Sequence, residues 1–210
     1  LSSIFPRADL HLQCQPICHI KSGGILTSPV SRRFQKDPAT VRSQLGLSPA
    51  TKMVLISMGG TPHSLPDLEM LGKRYGDIAF VIAGHCPAQV TPSNVRLLPT
   101  NSPLFHPDLV RAANVVIGKA GYSTIAEVYQ AGVPFGYFSR PDNPEMPPLL
   151  SFLKEKIQGM HFTDNDYQTN AWLDHLSTLL SRPRIDRSRE PNGADQCADA
   201  IAQLVGSQSV

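Results

Sequence analysis

Short apolar runs alternate with amphipathic stretches along most of the sequence. From residue 37 onward, runs such as residues 53–58 and 78–83 are almost continuously apolar, which is typical of strands covered on both faces of a parallel sheet. Between such runs, apolar residues recur three and four positions apart, as in Ile125, Val128 and Tyr129, and this spacing predicts helices. The alternation predicts an α/β fold, a Rossmann-like parallel sheet with helices on both faces.

Glycine and proline give the boundaries of the predicted elements. Strands are predicted at residues 53–58, 78–83, 95–98, 115–117, 135–138 and 159–162, and helices at residues 37–45, 66–74, 108–113, 123–131, 147–157, 167–180 and 194–205. Asp37 and Pro38 suit the start of the first helix, and Gly46, Gly132 and Gly159 suit the ends of three helices. A further strand-like stretch, residues 8–12, precedes a segment rich in Gly, Ser and Pro.

The sequence divides into three predicted parts. Residues 1–50 hold six Lys and Arg against two Asp and Glu, and we interpret residues 1–36 as the stub of a preceding domain with a linker. Residues 37–192 form the Rossmann-like domain. Residues 193–210 form a C-terminal helix that we expect to pack back toward a missing N-terminal domain. The first residue is not Met, and we expect a fragment or one half of a split enzyme.

Composition and charge exclude several classes of protein. The 210 residues are 41% hydrophobic and 17% charged, which favours a globular fold over disorder. A formal net charge of +2, without a nucleic-acid-binding motif, predicts no nucleic-acid partner. No apolar run is long enough for a membrane span and no signal peptide begins the chain, so we expect a soluble, cytoplasmic protein.

The four cysteines are scattered, which indicates reduced thiols rather than a disulfide framework. Cys14, Cys18 and His19 lie close in sequence, but no matching second pair of ligands accompanies them. The sequence therefore predicts no metal site.

Turns that follow the predicted strands are the places to look for a ligand, because ligands of parallel α/β sheets bind at the carboxyl ends of the strands. The first such turn contains Gly59, Gly60 and Thr61. Glycines let backbone N–H groups approach an anion closely, although a Gly-Gly turn serves a purely structural purpose at least as often. A third turn, residues 139–146, is polar and stiffened by proline, and an ordinary capped loop is an equally good interpretation.

The second turn, residues 118–124, is the most informative of the three. Lys119, Gly121, Ser123 and Thr124 precede a predicted helix whose first N–H groups and dipole favour a negatively charged group. The spacing matches neither a P-loop nor a dinucleotide-binding fingerprint, so neither an NTPase nor a dinucleotide dehydrogenase is supported.

Glu127 has two interpretations that spacing alone does not separate. Thr124-x-x-Glu127 fits a capping box, in which the glutamate bonds back to the start of its own helix. Alternatively, Glu127 lies at the ligand-facing end of the helix and accepts hydrogen bonds from ribose hydroxyls.

Residues 54–159 resemble the C-terminal, nucleotide-sugar-binding domain of two-domain glycosyltransferases with the GT-B fold. Among these glycosyltransferases, the sequence is most similar to the group that contains the lipid-linked N-acetylglucosaminyltransferase of peptidoglycan synthesis. The resemblance rests on three stretches: residues 56–60 (Ile-Ser-Met-Gly-Gly), the strand at residues 115–117, and Gly121-x-x-Thr124-x-x-Glu127-x4-Gly132-Val133-Pro134. The sequence also resembles the transferase-like N-terminal portion of sugar kinases of the arabinokinase type, at residues 45–47 and at residues 140–142 with Glu145.

The resemblance implies a role for each candidate residue toward a nucleoside-diphosphate sugar. Phosphate or donor sugar would contact Gly59, Gly60 and Thr61, and the diphosphate would contact Gly121, Ser123 and Thr124, with Lys119 offsetting its charge. Glu127 would bind the ribose 2′- and 3′-hydroxyls, and residues 99–106 would hold the base. Asp142 and Glu145 fall where the family contacts the donor sugar or ribose, but the usual pair of Gln residues is absent here.

The implied function is the donor-binding domain of a glycosyltransferase, with a UDP-sugar as the expected donor of a hexosyl or N-acetylhexosaminyl group and with no cofactor. The acceptor site and catalytic base would belong to the missing N-terminal domain or a separate subunit, so no catalytic residue is assigned. His63 and His106 lie near the turns, and we predict that both are surface histidines. The alternatives are a nucleotide-sugar hydrolase and a regulatory or assembly module that keeps the fold without catalysis.

Overall fold

The computed structural model of the chain describes residues 8–59, 66–84, 90–139 and 143–207. Its described part contains a six-stranded sheet built from β3 (Lys52–Ser57), β4 (Ile78–Ala83), β5 (Val95–Leu98), β6 (Val115–Lys119), β7 (Phe135–Phe138) and β8 (Met160–Phe162). The strand order is β5-β4-β3-β6-β7-β8, and every neighbouring pair is parallel. Two shorter strands, β1 (Leu12–Cys14) and β2 (Ile25–Thr27), pair separately. The predicted parallel α/β sheet is confirmed.

Helices lie before, between and after these strands. They are α1 (Pro38–Gln44), α2 (Leu68–Arg74), α3 (His106–Ala112), α4 (Tyr122–Ala131), α5 (Met146–Phe152), α6 (Asp164–Gln168), α7 (Leu176–Ser181) and α8 (Gly193–Ser207). The first begins as the sequence predicts, because the Asp37 carboxylate caps it by accepting from the N–H of Thr40 at 3.0 Å. None of the helices in the described ranges is long and apolar enough to cross a membrane.

Two predicted elements differ from the structure, and one predicted helix ends with a different cap. The single helix predicted at residues 167–180 is instead α6, a 3-10 helix at Ala171–His175 and α7, because Asn170 takes a left-handed conformation with φ of 58°. The fifth helix continues into a π-helical turn at Leu153–Ile157, so it ends at the predicted residue, but Gln158 with φ of 55° caps it where Gly159 was expected. The strand expected at residues 8–12 lies at Leu12–Cys14.

The sheet is covered on both faces. Alternate residues of β3 point to opposite sides, so Leu55 packs with α1, α3, α4 and α5 while Ile56 packs with α2, the 3-10 helix and α7. The side chains of all five β3 positions from Met53 to Ser57 are buried, which explains why the strand is nearly continuously apolar rather than alternating.

The segment before α1 packs against the C-terminal helix and the start of α4. The N–H of Ser28 donates to Gln196 of α8 at 2.6 Å, and Ser31 exchanges two hydrogen bonds with Asn192 just ahead of α8. The Tyr122 hydroxyl donates to the carbonyl of Gln15 at 2.9 Å. We call residues 28–36 the linker segment; the hydrogen bonds of Ser28 and Ser31 hold its backbone against α8 and the residue before it.

Candidate functional site

The strand order brings two of the predicted turns together. β3 and β6 are adjacent and parallel, with Ser57 paired to Gly118, so the turns that follow them leave the same edge side by side. A side chain at Gly118 would place Cβ 2.2 Å from the Ser57 carbonyl oxygen. Glycine is therefore required at position 118 for β3 and β6 to approach this closely. The strand β6 continues through Lys119, and the turn begins after it.

Two adjoining pockets open at this edge. The larger, of about 310 Å³, is lined by residues after β3 and β4, by α4 and by the loop at residues 98–104. The smaller, of about 190 Å³, lies between the turn after β3 and the turn after β6 and reaches Asn143. Gly59 and Thr124 line both, so the two pockets adjoin at these residues.

Most of the predicted site residues lie around these pockets. Ser123, Thr124 and Glu127 line the larger one, Lys119 and Gly121 line the smaller one, and Gly59 lies between them with φ of 72°. Glu145 is exposed before α5 and is not a lining residue of either pocket. Gly60, Thr61, His63 and Asp142 lie outside the described residues.

The start of α4 has no side-chain cap. Gly121 is the N-cap residue, no side chain caps the helix, and no acidic residue occupies its first turn. The helix is 10 residues long, and Ser123 and Thr124 add hydroxyls beside the free backbone groups. This combination favours an anion at the shared rim of the two pockets.

Glu127 is not part of a capping box. The helix begins at Tyr122, so Thr124 already lies within its first turn and Glu127 lies beyond it. Its side chain is only 2% exposed and accepts hydrogen bonds from two residues distant in sequence. The structure thus excludes the capping interpretation and places the carboxylate on the wall of the larger pocket.

His106 is one of these two donors, and the prediction that it is a surface histidine is wrong. It opens α3, and its Nδ1 donates to Glu127 Oε2 at 2.6 Å. With Nδ1 carrying the proton, a neutral ring accepts at Nε2 from the Ser57 hydroxyl at 2.8 Å. Pro107 was a usable signal, because proline favours the first turn of a helix and so indicates that His106 lies at a helix start.

Arg32 is the second donor, and sequence reasoning missed it. Its Nε and Nη2 lie 3.1 and 2.7 Å from Glu127 Oε1, and its guanidinium lies 5.0 Å above the centre of the Phe105 ring. Arg32 belongs to the linker segment, 95 residues from Glu127. The excess of basic residues in the first 50 positions was the available signal, but it does not say which of them reaches the site.

These two donors keep Glu127 ionised. Burial by itself raises the pKa of Glu127, but the hydrogen bond from His106 and then the hydrogen bonds and positive charge of Arg32 outweigh it, and the net pKa lies below the usual 4.5. A fixed negative charge therefore sits at the wall of a pocket whose rim favours anions. Among the described residues, no group of three His, Cys, Asp or Glu side chains is arranged to hold a metal ion.

Comparisons with known proteins identify one related sequence and several solved structures with a similar fold. No protein-family model matches the sequence. It is 26% identical over 152 residues to L-arabinokinase of Arabidopsis thaliana, a match that covers 72% of this chain and 14% of that protein. The solved structure of CalG4, the calicheamicin glycosyltransferase, superimposes with a TM-score of 0.64 at 16% identity, covering 91% of this chain and 50% of that one.

The chain has the fold of the C-terminal domain of GT-B glycosyltransferases. The spinosyn rhamnosyltransferase SpnG, solved with thymidine diphosphate, shares this GT-B fold with a TM-score of 0.56 at 17% identity, over 84% of this chain and 50% of that one. The GT-B domain described here thus spans about half the length of these solved glycosyltransferases. The predicted resemblance is confirmed.

Proposed function

We propose that this GT-B domain binds the nucleoside-diphosphate sugar donor of a glycosyltransferase, with a UDP-sugar as the donor. One observation carries the proposal: β3 and β6 are adjacent and parallel, and the uncapped start of α4 that follows β6 shares a rim with a buried, ionised carboxylate. A diphosphate next to a ribose presents the complementary pattern of negative charge beside neutral hydroxyls.

The proposed roles follow from the chemistry of each group. The diphosphate lies at the start of α4, against the N–H groups and hydroxyls of Ser123 and Thr124, and near Gly59 and Lys119. Glu127 accepts a hydrogen bond from the ribose. The loop at residues 98–104, which lines the larger pocket, holds the base. In the same proposal Gly60 and Thr61 contact phosphate or the donor sugar, and Asp142 and Glu145 contact the donor sugar or the ribose.

In this scheme the domain stabilises the leaving diphosphate by backbone N–H groups and a helix dipole. The acceptor site and the catalytic base belong to an N-terminal domain or a partner subunit. The proposed transfer of a hexosyl or N-acetylhexosaminyl group therefore requires that other half, whereas donor binding does not.

The test is calorimetric titration of the chain with UDP, dTDP, GDP and ADP. We expect at least one nucleotide to bind with a dissociation constant below about 1 mM. Glu127→Gln should weaken that binding about tenfold, since it loses one hydrogen bond to a charged acceptor. Glu69→Gln is the matched control, because Glu69 is exposed on α2 and pairs only locally with Lys73. Absence of binding by all four nucleotides would remove the proposal.

A second candidate is a non-catalytic module that binds the sugar nucleotide to regulate an attached enzyme. The match to a protein named as a sugar kinase, of which this chain covers 14%, favours it. Product analysis of the full-length protein separates the candidates: transfer requires an acceptor, hydrolysis releases free sugar without one, and a regulatory module does neither.

A further inference from the structure

Glu127 has few acceptor sites left for a ribose. A carboxylate offers about four, two on each oxygen. Arg32 occupies both sites of Oε1 through Nε and Nη2, and His106 occupies one site of Oε2 through Nδ1. One site on Oε2 therefore remains, enough for a single hydroxyl but not for the 2′,3′-diol that would use both oxygens.

Arg32 is held in this position by more than its ion pair. Its guanidinium stacks on Phe105, and the backbone before it is fixed by the reciprocal hydrogen bonds between Ser31 and Asn192 at 3.2 and 2.7 Å. Departure of Arg32 would leave the carboxylate, which is 2% exposed, with His106 as its remaining partner. A second ribose hydroxyl could bind Oε1 only by displacing the two charged N–H donors of Arg32, and it would replace them with a single neutral O–H donor.

We infer that Arg32 sets the sugar selectivity of the nucleotide site: with Arg32 in place, Glu127 accepts from one hydroxyl only, and the pocket binds ribo- and 2′-deoxyribonucleoside diphosphates nearly equally. The inference rests on the proposed function. A 2′-deoxynucleotide keeps its 3′-hydroxyl, which satisfies the one open site, so the missing 2′-hydroxyl costs little. The linker segment, rather than the Rossmann-like domain itself, thereby determines which nucleotides the site accepts.

The experiment compares UDP with 2′-deoxy-UDP by calorimetric titration of the wild-type chain and of Arg32→Ala. For the wild type we expect dissociation constants within about threefold of each other. Arg32→Ala opens Oε1 to the second hydroxyl, so UDP should bind about fivefold more tightly than 2′-deoxy-UDP. Arg33→Ala is the matched control, since Arg33 is the next residue, carries the same charge and pairs with Asp195 of α8 instead.

The outcomes separate this inference from the proposed function. A wild-type preference for UDP of tenfold or more would overturn the inference while leaving nucleotide binding intact. Equal weakening of both nucleotides by Arg32→Ala would also overturn it, because Arg32 would then be a phosphate contact. Failure of both nucleotides to bind the wild type would overturn the proposed function itself. An unchanged emission spectrum of Trp172, which is fully buried, would show that the variant is folded.

Discussion

Replacing Gly132 with alanine should destabilise the domain more than the same change at another glycine of similar conformation. Gly132 ends α4 with φ of 61°, and an added Cβ would lie 1.9 Å from the carbonyl oxygen of Ile185. The N–H of Ile185 also donates to the Gly132 carbonyl at 2.9 Å. The loop after α7 therefore lies directly on this glycine, and the backbone of Ile185 would have to move.

Gly46 is the matched control. It follows α1 with φ of 69°, and a Cβ added to it would have no neighbouring atom within 4 Å. The left-handed conformation costs either alanine about 1–2 kcal/mol. At Gly132 the overlap with Ile185 adds about 1–3 kcal/mol, typical of overpacking a filled site. We therefore expect losses of about 1–2 kcal/mol for Gly46→Ala and about 2–5 kcal/mol for Gly132→Ala.

The assay is urea denaturation followed by the fluorescence of Trp172. It is the single tryptophan of the chain and is fully buried between the sheet and the helices of one face, so its emission reports global unfolding. Equal destabilisation by the two substitutions, with unchanged dependence on urea concentration, would refute the argument from Ile185. The loss in the free energy of unfolding would then arise from the backbone conformation alone.

Three further predictions concern titration and oxidation. Burial, and then a hydrogen bond to Glu190, raises the pKa of Tyr129 to about 12, so the stability that Tyr129 contributes is full below pH 10 and is lost between pH 10 and 12. Tyr129→Phe should remove that loss, as measured by tyrosinate absorbance and alkaline denaturation. Tyrosinate that appears near pH 10 in the wild type would contradict the prediction. The pKa of Glu127 lies below 4.5, so its contribution is full above pH 4.5 and declines on acidification; Glu127→Gln should flatten the acid limb of the stability curve, and an identical limb in both proteins would count against the pairing. The Sγ atoms of Cys14 and Cys197 lie 3.7 Å apart, so diamide should oxidise them to a disulfide that peptide mass mapping detects. Thiols that stay reduced under diamide would contradict this contact.

Local sequence patterns were enough to predict most strands of the sheet. The strands at 78–83, 95–98 and 135–138 have the predicted bounds, because a short run bounded by glycine or proline and covered on both faces must be apolar at nearly every position. Prediction failed at Asn170, whose positive φ divides a predicted helix, because Asn adopts that conformation more often than most residues but does so only where the surrounding structure requires it.

The sequence by itself determined the alternation of strands and helices, the anion-favouring turn before α4 and the candidacy of Glu127. Only the tertiary structure decided what surrounds that carboxylate. Ser57, His106 and Arg32 come from a strand end, another helix and the linker segment, and they meet because β3 and β6 are neighbours and because α8 holds the linker beside them. Local periodicity reports which face of an element is covered, whereas the partners of a buried charge depend on which distant segments the fold places against it.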